Sequence, residues 1–305
     1  MEIKEIKRGN IRWLDIVHPK QADVNYLAKN FPFHTLDLED CLSTIQRPKI
    51  DEYEDYLFMV LHFPRFFKET SHLVSSEVDF FIGKNYLVTL HNGSQKLLNE
   101  FFEKCKDKPE FFTKMTKKGS GFLLYQIINL LYGNCFPMID KIYEKIEKFD
   151  MEIYSEKRHP KLLIKDLSNF RREIINFRRI IKPQREVIGV LEKVKAAFLA
   201  KDVDIYFDDI GDQIEKIWDL LENQKEVADS LSTTYEAVVS NKTNDVIKTL
   251  TIFSVILLPL TLLSGLFGMN VDLPFSEKTG FIFIIGLMFL ITIIMISIFT
   301  RKDWL

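Results

Sequence analysis

The sequence predicts an α/β domain followed by a long stalk helix, which continues into the first of two C-terminal transmembrane helices. Short apolar runs of strand length are spread over the first 133 residues. From residue 204 to residue 267 a helical pattern contains only one proline. Residues 249–267 and 281–299 each form a 19-residue stretch without a charged side chain, long enough to cross a hydrocarbon core of roughly 30 Å as a helix. A buried core hairpin would need two helices without a charge on any face, so we favour two membrane spans.

The first domain, residues 1–133, is predicted to mix strands and helices. Strands are expected at Ile11–Val17, 56–63, 78–82 and 86–90, with a turn at His91-Asn92-Gly93. A helical pattern then runs from residue 122 to residue 200, and its part at residues 134–203 is treated as a separate helical region. Prolines are expected to interrupt this pattern at Pro137, Pro160 and Pro183.

The stalk helix is predicted at residues 204–245, where apolar residues recur at helical spacing. Continued through residue 267, it would be roughly 95 Å long at 1.5 Å per residue. Pro259 lies inside the first span, where neighbouring helices or hydroxyl groups can compensate for its lost hydrogen bond. The membrane part divides into a first span at 246–267, a loop at 268–280, a second span at 281–300 and a basic tail at 301–305.

The charges that flank the two spans predict their orientation. Lys242 and Lys248 precede the first span, and Arg301 and Lys302 follow the second, whereas the loop contains a single lysine, Lys278. Because basic residues favour the cytoplasmic side, we expect both termini in the cytoplasm and a loop that faces outward. The amino terminus has no pattern of a signal peptide. These features predict a multi-pass protein of the cell membrane with a large cytosolic domain.

One face of the first span and of the helix before it is largely polar or small. We call this face the stripe; its members alternate in spacings of three and four and are Asn244, Ile247, Thr251, Ser254, Leu258, Thr261, Gly265 and Gly268. Lipid disfavours such a face, whereas small residues allow helices to approach and hydroxyl groups can point at a neighbour or at water. The stripe therefore either packs against the second span or lines an aqueous path. Because one hairpin cannot enclose a path, the second interpretation requires a homo-oligomer.

Several segments resemble the CorA family of magnesium transport proteins. Around the first span these are Ser240-Asn241-Lys242-Thr243-Asn244, Pro259-Leu260-Thr261 and Gly265-Leu266-Phe267-Gly268-Met269-Asn270, which ends in the family's Gly-Met-Asn signature. In the first domain they are Leu38-Glu39-Asp40, Gln46-Arg47-Pro48-Lys49 and Tyr56-Leu57-Phe58. The similarity extends from about Trp13 to the closing Trp304-Leu305. The tripeptide alone is a weak signal, but its position between two spans makes the resemblance specific.

The resemblance implies a homopentamer in the lipid bilayer, with a cytosolic α/β funnel, a stalk that runs into the first span and an outer ring of second spans. It implies channel-like uptake of Mg²⁺, driven by the membrane potential and gated by cytosolic Mg²⁺, with cobalt or nickel as further ions. Gly268, Met269 and Asn270 would form the selectivity filter, whose amide and carbonyl oxygens accept protons of the ion's hydration shell. The pore would be lined by Asn244, Ile247, Leu250, Thr251, Ser254, Leu258, Thr261 and Gly265.

The charge pattern of the helical part adds a candidate sensor. Residues 141–201 contain 16 Lys or Arg against 9 Asp or Glu, whereas residues 202–247 contain 3 against 12. The acidic stalk is either a solvated face that pairs with the preceding basic helices or a site for divalent cations, which prefer carboxylate oxygens. The resemblance places regulatory Mg²⁺ between subunits, at Asp40, with Glu39 beside it, and at Asp209. Asn129 replaces a second carboxylate of the family, which puts a second regulatory site in doubt.

Other function classes lack the residues that they need. The glycines are scattered, the six histidines lack metal-ligand spacing and the three cysteines form no CxxC pair, so neither an enzyme nor an organic cofactor is expected. No nucleic-acid partner is expected. Two alternatives remain, a zinc transporter of the same superfamily and a membrane-anchored cytosolic sensor or scaffold. Thr261 and the acidic pair favour magnesium, and the polar stripe argues against a plain anchor.

Overall fold

The computed structural model describes residues 3–43, 46–66, 73–153, 160–196, 198–200, 202–269, 277–302 and 304. The chain divides into two compact units, Met1–Ser232 and Thr233–Leu305. The first unit contains the sheet and most of the helices, and the second contains the end of the longest helix and the C-terminal helix.

In the described residues, the first unit contains a six-stranded mixed sheet with the strand order β1-β2-β6-β5-β4-β3. Its strands are β1 (Ile3–Arg8), β2 (Ile11–Val17), β3 (Lys49–Glu52), β4 (Tyr56–Phe66), β5 (Leu73–Gly83) and β6 (Tyr86–His91). β2 and β6 run parallel, and the other neighbouring strands are antiparallel. The strand predicted at Ile11–Val17 is confirmed, and the three other predicted strands are confirmed with longer bounds.

β1 and β3 are not predicted by the sequence pattern, and they form the two edges of the sheet. β1 (IKEIKR) buries only Ile6, and β3 (KIDE) buries none of its four residues. Charged side chains are usual on edge strands because they discourage pairing with another chain. The same charges remove the apolar alternation by which a strand is recognised.

Helices cover both faces of the sheet. On one face, α1 (Gln21–Asn30) and α2 (Thr35–Asp40) contribute Leu27 and Leu38 to a buried cluster with Phe58 of β4. On the opposite face, Trp13 of β2 contacts Phe102 of α3 (Lys96–Asp107), with 4.8 Å between ring centroids. Burying side chains of this size contributes about 1.5–3 kcal/mol each. The core therefore holds α2 firmly on the sheet, at the position of Asp40.

The remaining helices of this unit include one correction to the predicted proline breaks. They are α4 (Pro109–Met115), α5 (Ser120–Gly133), α6 (Cys135–Ile153), α7 (Pro160–Leu191) and the start of α8 (Asp204–Phe267). Pro160 begins α7 and Pro137 lies in the first turn of α6, where a missing N–H costs little. The expected interruption at Pro183 is wrong, because α7 continues through it. The neighbouring Gln184 is fully buried and its Oε1 accepts a 2.9 Å hydrogen bond from the backbone N–H of His62, so packing on the sheet outweighs the cost of the proline.

α8 is a single helix of 64 residues that continues through Pro259, as its sequence pattern predicts. The C-terminal helix is α9 (Glu277–Arg301). Among the described residues, three helical segments are long and apolar enough to cross a membrane. In the most apolar 18-residue part of Ser120–Ile153, 56% of the residues are buried, whereas the corresponding shares in α8 and α9 are 6% and 0%. The last two helices leave their apolar surface uncovered, which suits contact with lipid.

Candidate functional site

The stripe on α8 is hardly covered by other parts of the chain. Asn244, Ser254, Thr261 and Gly265 are exposed, and Thr251 is half-buried. The apolar side chains assigned to the pore are also open, and those of Leu250 and Leu258 expose 66% and 69% of their surface. The polar and apolar residues assigned to the pore are therefore both available for contacts outside one chain.

The opposite face of α8 is apolar and partly covered. Ile252 is 5% exposed, and Ile256, Leu263 and Phe267 are half-buried. With 3.6 residues per turn, these positions lie about 170° around the helix from the stripe. The side chains that one chain covers are therefore on the apolar face, which argues against the stripe as a packing interface within one hairpin.

The hydroxyl groups of the stripe share one arrangement. Thr251, Ser254 and Thr261 each donate their hydroxyl proton to the backbone carbonyl four residues earlier, at 2.8, 2.8 and 2.9 Å. This bond is a common way for a helix to satisfy a hydroxyl group internally. A hydroxyl has one proton and two lone pairs, so each oxygen can still accept a hydrogen bond. These side chains can therefore accept hydrogen bonds from water, but their own hydroxyl hydrogens are already engaged.

Gly268, the first residue of the Gly-Met-Asn signature, directly follows the last residue of α8. The N–H of Gly268 donates a 2.9 Å hydrogen bond to the carbonyl oxygen of Ser264. A Cβ atom at Gly268 would lie 2.9 Å from the same oxygen, so a larger residue would push the helix end out of place. Met269 follows as an exposed residue. Asn270, the third residue of the predicted filter, lies outside the described residues.

Asp40, the last residue of α2, forms an ion pair with Lys49 of β3. The Nζ atom of Lys49 is 2.8 Å from Oδ2 of Asp40 and 2.6 Å from Oδ2 of Asp51. Burial acts to lower the pKa of Lys49, but the hydrogen bonds to both carboxylates outweigh it and raise the pKa, so the ammonium stays charged. Glu39 is exposed beside this pair. Lys49 lies in a segment that resembles the family, but no pattern in the sequence links it to Asp40.

Asp209 lies near the start of α8 and is held by a tyrosine of α5. The hydroxyl group of Tyr125 donates a 2.8 Å hydrogen bond to Oδ2 of Asp209. Burial and this bond raise the pKa of Tyr125 to about 12, so the phenol keeps its proton. The ring of Tyr206 packs against Tyr125 with 4.9 Å between centroids. Tyr125 fixes the Asp209 carboxylate, a role that the sequence does not reveal because 84 residues separate the two.

Asn129 forms a neutral pair. Its Oδ1 atom accepts a 3.1 Å hydrogen bond from Nε2 of Gln213 in α8. Two amides thus meet at the position where the family resemblance would place a carboxylate. Neutral amide oxygens attract a dication less than a carboxylate does, so this position offers no charge for a second regulatory ion.

Part of the acidic stalk pairs with the basic helix α7. Three arginines spaced seven residues apart contact three carboxylates of α8 at 2.5–2.6 Å: Arg171 with Asp229, Arg178 with Glu222 and Arg185 with Glu215. Trp218 lies between two of these arginines, with guanidinium-to-ring distances of 4.9 and 5.0 Å. For these three carboxylates the predicted pairing with the preceding basic helix is confirmed. Asp209 differs from them because its partner is a neutral phenol.

Within the described part of one chain, no three His, Cys, Asp or Glu side chains converge on a position that could hold a metal ion. Asp40 and Asp209 each have their own partner, Lys49 and Tyr125. The regulatory site that Asp40 and Asp209 would share stays a prediction.

The comparison with known proteins indicates one family over almost the whole chain. A family model described as CorA-like Mg²⁺ transporter protein matches residues 8–301. The chain is 31% identical to YfjQ of Bacillus subtilis, over 99% of this chain and 93% of that protein. It is 30% identical to the cobalt/magnesium transport protein CorA of Thermotoga maritima, over 96% of this chain and 83% of the relative.

A solved structure shows the same architecture. The complete structure of the CorA magnesium transporter from Methanocaldococcus jannaschii matches with a TM-score of 0.83 at 22% identity, over 100% of this chain and 94% of that one. The match includes the α/β domain, the long helix and the C-terminal helix, which confirms the predicted fold class. Proteins of this family are membrane transporters of divalent cations and not enzymes. This chain belongs to the CorA-like Mg²⁺ transporter protein family.

Proposed function

We propose that this chain takes up Mg²⁺ across the cell membrane as a homopentamer in which five copies of α8 surround the ion path. The observation that carries the proposal is the exposed stripe, which lies opposite the covered apolar face of α8. The described residues of one chain leave the stripe uncovered, whereas copies related by a rotation axis would turn it toward a common centre. The relatives named as magnesium or cobalt/magnesium transporters support the choice of ion.

The stripe suits a dication that keeps its water. Mg²⁺ loses its hydration shell reluctantly, and the bound waters present their protons outward. The hydroxyl groups of Thr251, Ser254 and Thr261 already donate hydrogen bonds to backbone carbonyl oxygens of α8. Their oxygens can therefore accept hydrogen bonds from these waters. Neutral acceptors also release the ion more readily than carboxylates would.

Ile247, Leu250 and Leu258 give the same face an apolar portion toward the cytoplasmic end. A narrow apolar ring excludes water and can stop conduction without a large movement. When the ring is open, an inside-negative potential drives a dication inward with roughly 4.6 kcal/mol per 100 mV, twice the value for one charge. Transport by this route needs no nucleotide hydrolysis.

In this proposal, the binding of Mg²⁺ on the cytosolic side controls the opening of the ion path. Asp40, with Glu39 beside it, would bind the ion together with Asp209 of a neighbouring subunit. One observed contact supports this assignment, because Tyr125 orients the Asp209 carboxylate without placing a positive charge beside it. An ion shared across the interface would hold two subunits together and so favour the closed state.

Metal uptake by the purified protein in liposomes tests the transport function. We expect Mg²⁺ uptake that rises with an inside-negative potential, with cobalt or nickel carried as further ions and empty liposomes as the control. Uptake of zinc alone would identify a zinc transporter of the same superfamily. If the assembled oligomer carries none of the four ions, the hairpin is an anchor and the proposal is wrong.

Thiol labelling in intact cells tests the predicted topology. A cysteine at position 276, which lies outside the described residues, should react with an impermeant reagent, whereas a cysteine at position 240 in α8 should not. The three native cysteines are buried and should give little background. The reverse labelling pattern would contradict the orientation deduced from the flanking lysines and arginines.

A further inference from the structure

Lys49 lies among three carboxylates beside the proposed regulatory site. Its Nζ atom is 2.8 Å from Asp40, 2.6 Å from Asp51 and 3.9 Å from Asp37. The ammonium group lies 4.9 Å from the centroid of the Phe58 ring, and the side chain is 33% exposed. Lys49 is therefore held against the sheet by charge and by an aromatic face.

The ion pair engages Oδ2, one of the two carboxylate oxygens that Asp40 could offer to a metal ion. The Asp40 side chain is only 27% exposed, so its carboxylate has limited room for a second partner. An ammonium group and a dication that share one carboxylate repel each other. The ammonium group at 2.8 Å from Asp40 would therefore oppose the binding of Mg²⁺ at the same carboxylate.

We propose that Lys49 is a tethered competitor of Mg²⁺ at Asp40 and sets the cytosolic magnesium concentration at which the sensor fills. This inference rests on the proposed regulatory role of Asp40 and Asp209 and names the residue that adjusts it. When Mg²⁺ binds, Lys49 leaves Asp40 but keeps its contact with Asp51, because its flexible four-carbon stem lets the ammonium group shift. Displacement then breaks one partly exposed ion pair, which lowers the affinity for Mg²⁺ without abolishing it.

A purely structural role for Lys49 predicts the opposite effect. If Lys49 only positioned Asp40, its removal would leave the carboxylate misplaced and weaken the binding of Mg²⁺. Competition predicts that removal strengthens binding. The direction of the change therefore separates the two roles.

The test titrates the full-length protein with MgCl₂ and follows the protection of α8 from a protease. Lys49→Met removes the charge and keeps an apolar side chain on Phe58. We expect the midpoint, which is the MgCl₂ concentration that gives half-maximal protection, to fall about fivefold or more. Lys49→Arg keeps the charge, so the midpoint should not fall below that of wild type. Lys7→Met makes the same change at an exposed lysine of β1 and should not shift the midpoint.

An unchanged or higher midpoint in Lys49→Met would overturn the inference, as would an equal shift in Lys7→Met. Size-exclusion chromatography checks that the oligomer is intact, and Lys49→Gln gives the same charge removal if methionine disturbs assembly. Failure of the sensor itself looks different, because protection would then persist when Asp40 and Asp209 are both replaced by alanine. If that double variant loses protection and Lys49→Met leaves the midpoint unshifted, only the role of Lys49 is rejected, and the sensor assignment stands.

Discussion

Replacing Asn270 with alanine should abolish Mg²⁺ uptake and leave the oligomer assembled. In the proposed pentamer the change removes five amide acceptors from the entrance of the path. At about 1 kcal/mol for each hydrogen bond, their combined loss would slow ion entry at least about a hundredfold. The assignment rests on the position of Asn270 directly after Gly268 and Met269. Uptake by liposomes that contain the purified variant measures the effect.

Asn241→Ala is the matched control for this experiment. Asn241 is exposed in α8 and lies outside the stripe, so the same chemical change should leave uptake at the wild-type rate. Size-exclusion chromatography establishes that both variants assemble. Wild-type uptake by Asn270→Ala would show that this residue is not the filter.

Strands and helices are predictable here where one local pattern dominates. β2 follows from a short apolar run, and α8 follows from helical periodicity over 64 residues. The edge strand β3 is missed because its sequence, KIDE, has no buried position. The continuation of α7 through Pro183 is missed because the compensating contact, from Gln184 to His62, joins residues that are 122 positions apart.

The same distinction separates the parts of the candidate site. The stripe is visible in the sequence because it repeats on one helix, and its exposure in the structure follows from the same repeat. Tyr125 and Lys49 are not visible, because each meets its carboxylate only after the sheet and helices have packed. Local patterns therefore predict which residues share a face, but not which partner tunes a charged group.

Replacing Asp40 and Asp209 together with alanine should remove the protection that millimolar Mg²⁺ gives the stalk against proteolysis. Without the ion, Asp209 would be repelled by the group of Asp40, Asp51 and Lys49 in the neighbouring subunit, which carries a net negative charge, and the stalk contacts would loosen. An ion that binds one conformation stabilises it by about 2.7 kcal/mol at a concentration 100 times its Kd. Binding of this strength would reduce the population of open stalks about a hundredfold. Limited proteolysis of the full-length protein over a range of MgCl₂ concentrations measures the effect.

The control variant Glu52→Ala with Asp219→Ala removes the same number of charges from β3 and α8. Both side chains are exposed, and we expect protection to persist. Lysine at positions 40 and 209 should act in the other direction, because its charge imitates the bound ion and favours the closed state without Mg²⁺. If the double-alanine variant is protected as well as wild type, Asp40 and Asp209 are not the sensor. The start of α8 would then be a solvated acidic face, as it is at Glu215 and Glu222, where the carboxylates are neutralised by arginines of α7.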